Sequence, residues 1–304
     1  MDFSKKKMTL CAVIFIVIGL MLILISFIST GFDFSKINTY NLEKKMYSVT
    51  DDFDSIKIHG GSTNVYFALS DDNQCYIETM ETEKMSYSIE VTDKELTISV
   101  DDKGKWYDNI AVFSWKEEKM VVYLPKSEYE ALVVKCGSGD VRISDNINIT
   151  EVDITTGSGG VKISGIRKSK NISIDTKSGD VKLSDIENAK NISIKTNSGE
   201  VKAVNCEADD IQMCTKSGDI DGKNIIAGNN IDIQADSGDV DLNNSDAETL
   251  NIKTNSGDVS CSLLTDKVFV TKTGSGEVHI PHSIIGGICE IKTGSGDIKV
   301  KIKD

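Results

Sequence analysis

Between Val49 and the C-terminus, apolar residues fall mostly on alternate positions. In "NISIDTKSGDVKLS", Ile172, Ile174 and Thr176 alternate with Ser173 and Asp175. A Lys177-Ser178-Gly179 break follows, and then Val181, Leu183 and Ile186. The next stretch, "NISIKTNSGEVKAV", repeats the scheme with Ile192, Ile194, Thr196, Val201, Ala203 and Cys206. A period of two is strand geometry, because successive side chains point to opposite faces. The phase resets across the Ser-Gly pair. Each unit therefore predicts two short strands and a brief third side around Ile186 or its equivalents. A unit this short has no room for a crossover helix, which excludes a doubly wound α/β sheet.

The Ser-Gly pairs fall at Ser138-Gly139, Ser158-Gly159, Ser178-Gly179, Ser198-Gly199, Ser217-Gly218, Ser237-Gly238, Ser256-Gly257, Ser275-Gly276 and Ser295-Gly296, in steps of 19 or 20 residues. A fixed period near twenty marks a solenoid. Two short strands cannot bury a core alone, but stacked copies can, each strand pairing in parallel with its equivalent about 4.8 Å away. The expected fold is all-β: a single-chain parallel β-solenoid of about nine coils. The paired Ser and Gly are read as its turn-forming corners. Glycine there suits a backbone with φ above zero, and serine suits a local bond to the turn backbone.

An acid follows the glycine in eight of nine units, at Asp140, Asp180, Glu200, Asp219, Asp239, Asp258, Glu277 and Asp297; Gly160 is the exception. Stacking would bring these like charges into a row. A partly basic row lies two positions on, at Arg142, Lys162, Lys182, Lys202, His279 and Lys299, interrupted by Asp221, Asp241 and Ser260. Two readings follow. The acids cap the turns on a solvated face, or Asp219, Asp221, Asp239 and Asp241 form an interaction or cation face. Hard cations need several converging oxygens, which a row does not ensure, so the first reading is preferred and no metal site is assigned.

Outside the repeats, residues 1–7 read as a basic tail and 8–30 ("MTLCAVIFIVIGLMLILISFIST") as an uncharged apolar run. That run is long enough for a transmembrane signal anchor, and Lys5 to Lys7 set a cytoplasmic N-terminus with the bulk outside. One N-terminal helix in the membrane is thus expected. Residues 31–48 read as a polar stalk and 49–130 as a small β-rich cap; the solenoid proper spans 131–304. Aromatics gather in the cap at Trp106, Tyr107, Phe113, Trp115 and Tyr123, where packing on the first coil is favoured over a binding patch. At the far end, Ile298, Val300 and Ile302 continue the inward row. Lys299, Lys301 and Lys303 then face outward on an expected open edge, where lysine opposes edge-to-edge growth.

The formal charge of -13 argues against a nucleic-acid partner. Seven cysteines show no C-x-x-C pair, so neither a zinc site nor a disulfide framework is indicated; Cys75, Cys136, Cys206, Cys214, Cys261 and Cys289 read as small core residues. The three histidines include His279 and His282 around Pro281, but no third ligand is evident. No phosphate loop, zinc-protease or nucleophile-elbow motif is present, and the evenly repeated acids single out no glycosidase pair. The chain is expected to be non-catalytic and without a cofactor.

The segment "MVVYLPKSEYEALVVKCGSGDVRIS" followed by "I-x-I-x-T-x-S-G-D-V" units resembles the bacterial cell-envelope family of candidate adhesin domains that includes Lia-G-like proteins. Leu124-Pro125 and Ser138 to Val141 carry the likeness, which runs from about Val49 onward; Gly160 departs from it. The resemblance implies a β-solenoid at the cell surface and offers no catalytic residues. The reading is a membrane-anchored extracellular interaction protein with a cell-wall or envelope-protein partner. Alternatives are an accessory regulator of an envelope-stress sensor, a structural spacer, or a polysaccharide-active enzyme, the last least favoured.

Overall fold

The computed structural model describes residues 15–22, 24–25, 28–29, 42–103, 118–144 and 146–303. Its strands, in chain order, begin with β1 (Glu43–Val49), β2 (Ser55–Gly61), β3 (Asn64–Leu69), β4 (Cys75–Glu81), β5 (Met85–Thr92), β6 (Glu95–Asp102) and β7 (Lys119–Leu124). The repeats contribute β8 (Glu128–Cys136), β9 (Val141–Ile143), β10 (Asn148–Thr156), β11 (Val161–Ser164), β12 (Asn171–Thr176), β13 (Val181–Thr196), β14 (Val201–Ser217) and β15 (Ile220–Ser237). They end with β16 (Val240–Ser245), β17 (Thr249–Ser256), β18 (Val259–Leu263), β19 (Lys267–Ser275), β20 (Val278–His279), β21 (Gly287–Ser295) and β22 (Ile298–Ile302).

Equivalent strands stack in parallel and in register. The strand before each Ser-Gly corner forms one face, and the strand after it forms the other. Through the middle of the stack, Ile154, Ile174, Ile194, Met213, Ile233 and Ile252 lie over one another. Beyond the corner, Val141, Val161, Val181, Val201, Ile220, Val240 and Val259 form a second ladder. All of these side chains are buried. The period-two pattern thus folds into a continuous dry interior, where each buried isoleucine is worth about 1.5–3 kcal/mol of transfer free energy.

The stacking order departs from chain order at both ends. On the first face β6 lies outside β2, and β8 lies inside it. On the second face β7 lies outside β3, and β9 inside. At the far end β21 sits between β17 and β19, and β22 between β18 and β20. The outermost coil is therefore β19–β20, and the chain returns to fill the layer beneath it. This corrects which strands form the open edge: β19 and β20, not the strand that bears Lys299 and Lys301. Lys299 and Lys301 belong to a strand paired on both sides, through Ser260 and Ser262 on β18 and, for Lys299, His279 on β20.

The N-terminal region contains more than a cap. β2 and β3 form a regular coil in register with β8 and β9, and β6 and β7 form another. Antiparallel strands finish the end: β5 on β6, and β4 between β7 and β1. Glu43 to Ser48, read as part of a stalk, belong to the strand β1. Trp106, Tyr107, Phe113 and Trp115 lie outside the described residues.

The membrane-spanning helix expected over 8–30 is overturned: among the described residues, no helix is long and apolar enough to cross a membrane. The longest described helical run, residues 15–22, spans about 12 Å, against a hydrocarbon layer of about 30 Å. The single-pass topology, the cytoplasmic N-terminus and the membrane partnership rested on that helix and fall with it. Residues 1–14, 23, 26–27 and 30 of that expectation lie outside the described residues.

Candidate functional site

The stacked Ser-Gly corner carries the sequence's most repeated chemistry, and three ladders meet there. The first explains the glycine. A Cβ on Gly179 would lie 1.9 Å from the carbonyl oxygen of Gly159, one coil below, and Gly159 stands in the same relation to Gly139. The residue is needed for close approach of backbone to backbone. Left-handed φ, the reason expected from sequence, is not general: the corner glycines with positive φ are Gly238, Gly257, Gly276 and Gly296, at 150–159°. The serines tie the corner down through their backbone N–H groups, as Ser158 does to the Gly137 carbonyl at 3.0 Å and Ser178 to that of Gly157 at 3.1 Å.

The second ladder is threonine. Thr176 Oγ1 accepts the Gly179 N–H at 3.0 Å and donates to the Gly159 carbonyl of the neighbouring coil at 3.4 Å. Thr156 and Thr196 do the same in their coils. Each buried hydroxyl joins a corner to itself and to the next one. Sequence reading took these threonines only as members of the alternation, although their fixed place three residues before the glycine was a usable signal.

The third ladder is the acid row. Asp180 Oδ1 accepts the Glu200 N–H at 3.0 Å, Asp219 Oδ1 accepts the Asp239 N–H at 2.9 Å, and Asp239 Oδ1 accepts the Asp258 N–H at 2.8 Å. Asp258 receives Asp297, and Asp297 receives Glu277, following the spatial order of the coils. Asp140 takes the Gly160 N–H, but Gly160 has no carboxylate to pass the pattern on. One oxygen of each such aspartate is thus occupied by the backbone of the adjacent coil. The Glu277 N–H, with Lys299 behind it, holds the Asp297 carboxyl below its ordinary range.

The four aspartates read as an interaction or cation face divide between two rows. Asp219 and Asp239 belong to this capping ladder. Asp221 and Asp241 are register partners on the next outward row, where Lys202 Nζ lies 3.6 Å from Asp221. Among the described residues no group of three or more His, Cys, Asp or Glu side chains could hold a metal ion. His279 stands 3.8 Å from Glu277. Cys75, Cys136, Cys206, Cys261 and Cys289 are buried and Cys214 half-buried. Burial pushes the thiols of Cys75, Cys206 and Cys289 up to about 12, so they are poor nucleophiles at neutral pH.

A further ladder, missed in the sequence, runs along the third side. Asp185, Asn205, Asn224 and Asn244 all have left-handed φ of 52–55°. Asn205 Nδ2 donates to Asp185 at 2.8 Å, Asn224 to Asn205 at 2.7 Å, and Asn244 to Asn224 at 3.3 Å. Asn and Asp tolerate this conformation better than other non-glycine residues. The signal was an Asp or Asn directly before Ile186, Cys206, Ile225 and Ser245.

Among the described residues, Glu81 and Lys267 are the most deeply buried charged side chains, and both are matched. Glu81 accepts Tyr47 Oη at 2.5 Å, Lys45 Nζ at 2.9 Å and Thr79 Oγ1 at 3.0 Å. Its burial would raise the carboxyl pKa, but these donors outweigh it and hold the group lowered. Lys267 Nζ lies 2.6 Å from Asp246 and 2.7 Å from Thr265 Oγ1. Neither is a free acid or base.

These ladders define a class: a single-chain parallel β-solenoid whose repeated corners are structural joints. The chain belongs to the Toastrack DUF4097 family, whose pattern matches residues 53–191 and again 187–304. Among solved structures, it is similar to a candidate lipid binding protein from Parabacteroides distasonis, at 19% identity over 87% of this chain and 97% of that one, with a TM-score of 0.50. Candidate adhesins from Bacteroides fragilis (18% identity, 86% and 97% covered, TM-score 0.47) and Parabacteroides merdae (12%, 88% and 98%, 0.49) are also similar. At such identities the likeness concerns the fold. No curated protein matches the chain.

Proposed function

We propose that this chain is a non-catalytic interaction protein of the bacterial cell surface, adhesin-like in action. The observation that supports it best is the commitment of the corner aspartates to the backbone of the adjacent coil. The repeat spends its most abundant chemistry on building a scaffold, which leaves long faces of mixed charge to present to a partner. The reading is non-catalytic because the corner aspartates are each tied to the backbone of a neighbouring coil, and the most deeply buried charges among the described residues, Glu81 and Lys267, are already paired. A glycosidase needs two carboxyls of distinct environment facing one bond.

The test is binding of the immobilised full-length chain to purified cell-wall polysaccharide and to envelope proteins, beside a charge-matched control protein. Retention above the control is expected, without release of shortened polysaccharide. Retention equal to the control, or turnover of the polymer, would overturn the reading.

A further inference from the structure

We propose that the open C-terminal end of the solenoid is a dimer interface, on which a second copy of this chain docks end to end about a twofold axis. The proposal stands independently of the surface-interaction reading. Among the described strands β19 pairs only with β21, and β20 only with β22, so both present an unpaired backbone edge. Such an edge is a template for another strand.

The same end is apolar. Val278, which stands over buried Ile298, and Ile280 are 40% and 37% exposed, Ile285 is 64% and Ile284 82%, and Val268 and Val270 face outward on β19 beside Ile288. Val278, Ile280, Ile284 and Ile285 present on the order of 400 Å² of surface, within the range for the largest patch on a monomer and about half of the ~800 Å² that each partner buries in a standard interface. Val278 lies over Ile298, and Phe269 over Cys289. The interior ladders thus run out into solvent here, and a second open end would continue them.

Charge selects the occupant. Two chains of formal charge -13 repel over most of their surface. From 264 to 288, however, the exposed charges are only Asp266, Lys272 and Glu277, because Lys267 is buried on Asp246, so this end meets its own copy with little repulsion. The other end offers no match for a head-to-tail contact. Its edge strands carry Glu43, Lys44 and Lys45 on β1 and Glu90 on β5. A twofold contact also closes after two copies, whereas head-to-tail stacking would grow without limit.

Sedimentation equilibrium of the full chain over a concentration series tests this. The expected result is a reversible twofold increase in mass, with no larger species. Val270→Lys places a charge on the edge strand, and Ile284→Asp/Ile285→Asp alters the exposed segment without touching a strand. Both variants should sediment as monomers with the circular-dichroism spectrum and melting curve of the parent. A parent that stays monomeric, open-ended growth, or a dimer that survives both variants overturns the proposal. So does a monomer that co-sediments with phosphatidylcholine vesicles and loses that binding in Ile284→Asp/Ile285→Asp, since the occupant would then be lipid.

Discussion

The two ends of the solenoid solve one problem in opposite ways. A stack of coils must stop, and stopping exposes strand edges and the ends of apolar ladders. At the N-terminal end the chain adds antiparallel strands, β5 on one face and β4 with β1 on the other. Those outermost strands are polar: Lys44 and Lys45 on β1 reach back to Glu78 and Glu81. Met46 is the one strongly exposed large apolar residue of the described strands there. At the C-terminal end nothing antiparallel is added, and valine and isoleucine face solvent. Leu96, Ile98, Met120 and Val122 in the outermost parallel coil of the first end are fully buried, whereas Val278 in that of the second is 40% exposed and Phe269 half-buried. One end is finished within the chain, and the other is left apolar.

Both ends nonetheless share an inverted order of coils, and at the C-terminal end that order makes the largest effect testable. Among the described strands, β19–β20 has ladder partners only in β21–β22, with Lys267 at its start also paired to Asp246. In a solenoid wound in simple order, deleting the last coil would leave its predecessor docked. Here deletion of residues 285–304 should release residues 267–279 as well, because their ladder partners are gone. Hydrogen exchange should then show loss of protection from 267 onward, while residues 249–263 stay protected on β15 and β16. Retained protection at 267–279 in the truncated chain would show that the observed order does not govern the end.

The next effect separates the corner from the third side. Gly179→Ala would force a Cβ to within 1.9 Å of a stacked carbonyl, and the neighbour is backbone that cannot swing away. A loss of roughly 3–5 kcal/mol is expected, in the range reserved for severe core disruption. At Gly228 the nearest atom to a Cβ is 3.7 Å away, so Gly228→Ala should change stability by less than about 1 kcal/mol. Urea midpoints of the two variants would measure the contrast, and equal midpoints would remove the close-approach account of the corner.

How far this could be read from sequence follows from the same corner. The alternation at Ile172 and Ile174 and the fixed Ser-Gly step were enough for strands, parallel stacking and a shared core, because they depend only on local period and repetition. The reason for the glycine was not legible, since the carbonyl it must avoid belongs to a residue twenty positions earlier. Nor was the destination of the aspartate's hydrogen bond. The order of the end coils was hidden for a different reason: "DIKVKI" has the pattern of any coil, and pattern says nothing about which neighbour a coil chooses. The apolar run at 8–30 satisfied a length rule, but the described helix does not reach that length.

Thr176 gives a smaller effect than the glycine. Thr176→Val keeps the shape but removes the acceptor of the Gly179 N–H and the donor to the Gly159 carbonyl. The corner would keep its close approach while leaving a buried N–H unmatched, for a cost of about 1–3 kcal/mol. Thr273, in the outermost coil, donates to the Gly296 carbonyl at 3.0 Å but is only half-buried. Water can replace its partner, so Thr273→Val should cost less. If the two substitutions proved equal, exposure at the open end would not be weakening its joints.

The smallest effect contrasts carboxylates held in two ways. Asp54, near the N-terminal end, is lowered first by Lys126 and then by Lys94. Asp297, near the other end, is lowered first by the Glu277 backbone N–H and then by Lys299. Both folded-state values lie below the ordinary 3.8, so each stabilises the fold fully above that pH and loses its contribution as pH falls through the lowered value. Exposed ion pairs are screened by salt, whereas a hydrogen bond from a fixed backbone donor is screened far less. Raising the salt concentration during an NMR titration of the two side chains should therefore move Asp54 back toward 3.8 more than Asp297. Asp297→Asn should retain the acceptor oxygen for Glu277 and so leave stability near pH 7 almost unchanged, while flattening the decline in acid. Equal salt shifts at the two sites would mean that the lysines, and not the stacked backbone, hold the acid ladder.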